Sequence, residues 1–285
     1  MGYANAQRTL DYIRIFAEFI SQPQYRDVVT MFGILNEPDG TDIGQDVLSS
    51  LYVLLLLVVI PRLTHVLSYY QAYQIVREAS GTGEGNGPFV AFHDGFFTRA
   101  QWAGFLPGAD RIALDDHPYI CFGSQSSAPM SSYATTPCTD WGSLVNTSMG
   151  AFGMTAAGEF SNAVTDCGLW VNGVGQGTRY EGNWTGGSSP SQGSCTPWTD
   201  YQNYDQPTKD AIMTFAMASM DALQVGAHRL CFIPADKHVA ELVLLDMEDR
   251  SVQRYRTDRV SSMVLFARPP RRVDASRSPS SCRSM

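Results

Sequence analysis

The first six residues, Met1 to Ala6, have neither the basic stretch nor the apolar stretch of a secretory signal. No apolar run is long enough to cross a membrane. The longest, Leu51–Ile60, has ten residues, where a span needs about 20. Positive charge is scarce: the 285 residues hold 20 Lys+Arg against 28 Asp+Glu, a net charge of −8. That balance argues against nucleic acid or an anionic membrane as partner and suits a neutral substrate. Charged residues make up 17% and hydrophobic ones 44%, so the chain is globular rather than disordered. The six cysteines, at 121, 138, 167, 195, 231 and 282, show no metal-ligand spacing, and neither a metal nor another cofactor is expected. Their number is high for a reducing compartment without proving an oxidising one. Glycine crowds residues 81–87, but ahead of a strand. A phosphate cradle follows a strand and opens a helix, so this loop reads as a linker.

What organises the chain is Val28–Asp39, VVTMFGILNEPD. Six of its first eight residues are apolar and none is charged. This predicts a parallel strand covered on both faces, ended by Pro38, which has no ladder donor. A carboxylate where such a strand meets its loop stands at the catalytic rim of an α/β barrel. Phe152–Phe160, FGMTAAGEF, is a second run of this kind and delivers Glu159 behind Gly158. Two such strands supply what a glycosidase needs, one protonated carboxyl and one ionised carboxylate. For either Glu alone, an exposed strand-end residue is the ordinary alternative. The pair, each beside Pro or Gly at the end of an apolar run, favours catalysis.

Ala4–Ile20 predicts an amphipathic helix, with Leu10, Ile13, Phe16, Ala17 and Ile20 inward and Arg8, Asp11, Arg14 and Glu18 outward. Pro88–Phe97 and Arg111–Ile120 predict strands, and His93 and Asp94, at the end of the first, read mainly as structural. Polar Ser124–Thr147 predicts a long loop. Lys209–Leu223 predicts a helix with Ile212, Phe215, Ala216, Met220 and Leu223 on one side. Asn146 and Asn183 head glycosylation sequons.

Two segments break the pattern. Removing Leu51–Ser68 joins Ser50 to Tyr69 and puts Val47, Tyr69, Ala72, Tyr73 and Val76 on one helix face. The removed piece is a whole number of codons and reads as a translated intron. Residues 1–224 carry a net charge of −12, with 9 Lys+Arg and 21 Asp+Glu, whereas residues 225–285 carry +4, with 11 and 7. That tail is Arg/Ser/Pro-rich, has no Trp, and reads as disordered or frame-shifted.

The segments MGYANAQRTLDYIRIFAEFISQPQYRDVV, MFGILNEP, PFVAFHDGFF, DDHPY, GEFSNAVTDC and the later GSC resemble the fungal secreted exo-β-1,3-glucanases (glucan 1,3-β-glucosidases) of glycoside hydrolase family five. The resemblance covers most of residues 1–50 and 69–224. It implies an α/β fold, a (β/α)8 TIM barrel. Residues 1–224 would supply roughly strands four to seven. Strands one to three would lie upstream of Met1, and the altered tail would replace the eighth. The implied protein is a monomer without cofactor, extracellular or in the cell wall, that releases glucose with retention from the non-reducing end of β-1,3-glucan. Glu37 would be the acid/base and Glu159 the nucleophile, their carboxyls about 5–5.5 Å apart. Asn36 would bond the sugar 2-hydroxyl. His117 and Tyr119 would line the subsite beside the scissile bond, with Phe122 an aromatic clamp at the entrance. Cys167 and Cys195 would form a disulfide, and Cys138 would lack its family partner. Phe160 stands where the family usually has Trp. Two other readings stay open. One is another β-glucanase of the family, endo-acting on 1,4 or 1,6 linkages. The other is an inactive fragment, for which the 285-residue chain by itself would hydrolyse β-1,3-glucan negligibly.

Overall fold

A computed structural model describes residues 3–45, 48, 69–83 and 86–223, and the backbone of 233–234, 243–245 and 252–254. The expected insertion at 51–68, Val47 and most of the tail at 225–285 lie outside the described residues.

The described chain is α/β. Helix α1 (Tyr3–Ile20) precedes strand β1 (Met31–Gly33) and a helical turn, Gly40–Ile43. Then come α2 (Tyr69–Ser80), β2 (Phe89–His93), β3 (Ile112–Asp116), α3 (Ser143–Ala151), β4 (Thr155–Ala157), β5 (Glu159–Phe160) and α4 (Gln206–Leu223). Strands β1 to β4 form one sheet in sequence order. β1 and β2 are parallel, with Phe32 opposite Val90, and β2 and β3 are parallel, with Phe92 opposite Leu114. Helix α2 lies in the crossover that parallel neighbours require.

The strand expected within Pro88–Phe97 is β2, where Val90, Ala91, Phe92 and His93 are buried. The expectation of a strand covered on both faces fails for much of Val28–Asp39. Only Met31–Gly33 is strand, and Val28 is 54% exposed. Among the described residues β1 pairs with a neighbour on one side only, so part of that apolar run stays uncovered. The run 152–160 is likewise two strands rather than one. It breaks at Gly158, and β5 pairs in parallel with a separate strand, β6 (Ile233–Pro234). Strands β7 (Val243–Leu245) and β8 (Val252–Arg254) pair antiparallel.

The chain divides into two compact units. The first is drawn from Met1–Asp116 and Asn146–Ala156, the second from His117–Val145 and the described part of Ala157–Ser261. In the first, Leu10, Ile13 and Ala17 of α1 share a core with Tyr69, Ala72 and Val76 of α2 and with Val90, Phe92, Trp102 and Leu114. Phe16, expected inward, is 46% exposed and only brings its ring to within 6.4 Å of Phe32. Phe16 falls at the margin of the buried stripe of Leu10, Ile13, Ala17 and Ile20.

In the second unit α4 buries Ala211, Phe215, Ala218, Ser219, Ala222 and Leu223. Ile212, Ala216 and Met220, expected inward, are only partly buried. Phe215 meets the Trp141 ring edge-on at 5.6 Å, and Gly142 lies against Ala222, which a Cβ added there would meet at 3.4 Å. Ser124–Thr147 is not the expected loop. It contains a 3-10 turn (Met130–Tyr133), a π-helical turn (Pro137–Gly142) and the start of α3. Its surface is Ser/Thr-rich, but Met130, Pro137, Trp141 and Val145 recur at helical spacing and are buried. Cys138 is disulfide-bonded, against the expectation that it lacks a partner. Oxidation asks only for a thiol within reach, not for the family's own pairing. Cys167 and Cys195 are bonded, Cα to Cα 5.2 Å across 28 residues. Cys121 is a buried, reduced cysteine.

Candidate active site

In the first unit, Ile34 N–H donates to Ala91 C=O at 3.2 Å, carrying the β1–β2 pairing one residue past the strand. The chain then turns through Asn36, exposed, and Glu37, half-buried. Glu37 has φ 42°, a left-handed backbone that costs a non-glycine residue about 1–3 kcal/mol and persists only where its surroundings enforce it. Asp39 is one enforcer. Its carboxylate accepts from Thr41 Oγ1 at 2.6 Å, Thr41 N–H at 2.9 Å and Asp42 N–H at 3.2 Å. The Thr41 side-chain bond, first, then the Asp42 amide hold Asp39 below the usual carboxylate range. Gly40 is the other. Its N–H donates to Gly95 C=O at 3.0 Å, and a Cβ there would lie 2.4 Å from that same oxygen. Only glycine lets the loop behind Glu37 lie against the end of β2.

Three hydrogen bonds converge on the end of β2. His93 is buried, and its Nδ1 accepts from Gly95 N–H at 2.9 Å. Tyr69 hydroxyl donates to His93 C=O at 2.8 Å, and Trp102 Nε1–H to Asp94 C=O at 2.9 Å. His93 sits opposite Asp115 across the ladder, so Asp94 and Asp116, one residue further on, are neighbours. Both are buried, and Arg99 pairs with Asp116. Burial pushes Asp94 up to about 7, and the charge of Asp116 adds to that. Burial raises Asp116 as well, against the pull of Arg99. Both carboxyls are therefore pushed toward the neutral form. Sequence reasoning does not find this pair. The signal for it is one Asp at the same level at the ends of two adjacent apolar strands.

In the second unit the chain leaving β3 enters His117-Pro118-Tyr119. Tyr119 hydroxyl donates to Glu159 Oε2 at 2.8 Å, and His117 Nδ1 lies 3.7 Å from the same oxygen. The His117 side chain is 4% exposed and that of Glu159 34%, so the carboxylate faces outward from a buried imidazole. Phe122 is 51% exposed, with its ring edge-on to Tyr119 at 5.1 Å. Four of the residues singled out in the sequence, His117, Tyr119, Phe122 and Glu159, thus lie together, and Asn36 and Glu37 share a loop of the first unit. A carboxylate oriented by a phenol hydroxyl and reachable from outside is suited to nucleophilic attack. Phe160 is buried behind it. Asn146 and Asn183 are both exposed. Asn183 Oδ1 accepts from Thr178 N–H at 2.7 Å.

No protein-family model matches the chain. Over 237 residues it is 30% identical to a protein of Aspergillus flavus named probable glucan 1,3-beta-glucosidase D, a match covering 78% of this chain and 26% of that protein. A protein of Aspergillus oryzae with the same name matches to the same extent. A glucan 1,3-beta-glucosidase of Lachancea kluyveri is 30% identical over 227 residues, covering 78% of this chain and 46% of its own length. The chain spans between about a quarter and about half of the length of these curated relatives.

Proposed function

We propose that this chain, a relative of the fungal glucan 1,3-beta-glucosidases, carries the acid/base and the nucleophile of a retaining glycosidase that releases glucose from the non-reducing end of β-1,3-glucan. The observation that carries the reading is the Tyr119 hydroxyl on Glu159, with His117 beside it. Glu159 attacks the anomeric carbon while Glu37 protonates the departing glycosidic oxygen, giving a covalent glucosyl-enzyme. Glu37 then takes a proton from the water that frees the sugar with its configuration retained. Asn36, next to Glu37, bonds the sugar 2-hydroxyl, and Phe122 packs against the sugar at the entrance. The fold of this reading is a (β/α)8 barrel, with which the parallel pairing of β1, β2 and β3 is compatible. Neither carboxyl needs a metal or cofactor for these steps. A polymeric glucan is met outside the cell or in its wall, and the Cys167–Cys195 disulfide suits an oxidising compartment. No helix among the described residues is long and apolar enough to cross a membrane.

The test is covalent capture. A glucosyl donor with a good leaving group and a 2-fluoro substituent, which slows release of the intermediate, should label the protein once, on the peptide containing Glu159. Glu159→Gln should take no label. A second reading is favoured by the edge of β1, which among the described residues pairs with a neighbour on one side only: the 285 residues by themselves turn over β-1,3-glucan negligibly. Absence of both label and glucose release from a laminarin-type glucan decides for that reading. Label on another residue overturns the assignment of Glu159.

A further inference from the structure

We propose that Arg179 is a positioning residue for the sugar entrance: held by Asp166, its guanidinium fixes the carbonyls of Cys121 and Phe122 and thereby the Phe122 ring. The proposal rests on the glucosidase reading only for what Phe122 touches. Everything else in it belongs to the second unit.

The tie starts from Asp166, whose side chain is 0% exposed. Its Oδ2 accepts from Arg179 N–H at 2.7 Å, Asn172 Nδ2 at 2.8 Å and Arg179 Nε at 3.1 Å, and its Oδ1 from Tyr180 N–H at 3.0 Å. A buried carboxylate with this many donors is fixed in place. They hold it below the usual carboxylate range in spite of its burial. The guanidinium it aims then reaches 57 residues back along the chain. Arg179 Nη1 donates to Phe122 C=O at 2.6 Å and Nη2 to Cys121 C=O at 3.1 Å. Gln125 closes the ring of contacts. Its Nε2 donates to Cys121 C=O at 2.8 Å and Gly123 C=O at 3.0 Å, and its Oε1 accepts Asp166 N–H at 3.0 Å.

Phe122 is half in solvent, and its ring meets that of Tyr119 by the edge. An aromatic held so lightly keeps its position only if its backbone does. Two successive carbonyls pinned by one planar fork supply that, and a lysine ammonium cannot do so while also meeting Asp166. The Asp166–Cys167 sequence also places the tie next to the Cys167–Cys195 disulfide, so the anchor end is covalently restrained.

The experiment compares wild type, Arg179→Lys, Phe122→Ala and the double variant. The amide of Gly123, bonded to Ile120 C=O at 2.9 Å, reports the loop by hydrogen exchange, and amides of α4 report the fold. Arg179→Lys should speed exchange at Gly123 at least about tenfold with α4 unchanged. Affinity for a β-1,3-linked glucose trimer, measured by calorimetry, should fall about tenfold in Arg179→Lys and in Phe122→Ala. The double variant should bind no more weakly than Phe122→Ala to within about twofold, because the two residues act through one ring. Unchanged exchange at Gly123, or losses that multiply in the double variant, overturns the proposal. If wild type binds no trimer, the glucan reading fails, and the exchange result alone decides whether Arg179 holds the loop.

Discussion

Tyr119 and Glu159 are 40 residues apart in sequence and joined by a 2.8 Å hydrogen bond from phenol to carboxylate. The bond sets which way the carboxylate faces, and it gives the short turn after β3 a reason to be ordered. Hydrogen bonds to a charged group contribute about 1.5–3 kcal/mol. Its loss should therefore be visible in the chemistry.

Tyr119→Phe keeps the ring against Phe122 and removes only the hydroxyl. It should slow covalent labelling of Glu159 by the 2-fluoro glucosyl donor about 10- to 100-fold, with the melting temperature almost unchanged. The time course of intact mass measures this. A labelling rate equal to wild type would show that the hydroxyl does not orient the nucleophile.

Asp94 gives a dependence of stability on pH. Its folded value, about 7, lies above the ordinary carboxylate value of 3.8, so the native state binds the proton more tightly than the unfolded chain. The stability this contributes is complete below about pH 4 and is lost as pH rises to about 7. Asp94→Asn, which can still donate to Asp116 and accept from Phe96 N–H, should flatten the melting temperature across that window. It should melt above wild type at pH 8. A wild-type profile retained in the variant would place the proton elsewhere.

The Cys167–Cys195 bond closes a loop of 28 residues. Chain-entropy reasoning gives such a closure about 3–4 kcal/mol, plus or minus native strain. Its small core of Tyr180 and Trp198 offers little to replace that. The Cys167→Ser, Cys195→Ser double variant should melt well below wild type. Peptide mapping of unreduced, denatured protein should give Cys167 linked to Cys195 and an alkylated Cys121. Cys167 linked to any other cysteine would contradict the pairing.

Helix α2 begins at Tyr69, which is 2% exposed, and buries Ala72 and Val76 on the face that the joined sequence predicts. A chain lacking residues 51–68 should therefore melt at or above the temperature of the 285-residue chain. Mature transcript should join the codons of Ser50 and Tyr69. A transcript that keeps the intervening codons, or a deletion variant that does not fold, would rule out the intron reading.

Much of the fold was legible because its signals are local. Leu10, Ile13, Ala17 and Ile20 declare α1 by their spacing, Pro88–Phe97 declares a strand by its apolar run, and Pro and Gly mark the turns beside Glu37 and Glu159. The misreadings share a cause. Phe16, Val28 and the turns of Ser124–Thr147 depend on what packs against them, and composition reports only what could pack. A Ser/Thr-rich stretch looks like a loop until Trp141 is seen against Phe215.

By itself the sequence determined helices α1, α2 and α4, strand β2, the two carboxylates at the ends of apolar runs, and the segments HPY and GEF that bear the candidate site. Those are properties of neighbours along the chain, set by periodicity, chain-breaking residues and charge. The tertiary structure alone decided that Tyr119 reaches Glu159, that Asp94 and Asp116 are buried side by side, and that Arg179 bonds the carbonyls of Cys121 and Phe122. Each of these needs two side chains brought together by strand register or by a turn of the backbone. Their energies come from burial and hydrogen-bond geometry, which no pattern along the chain specifies.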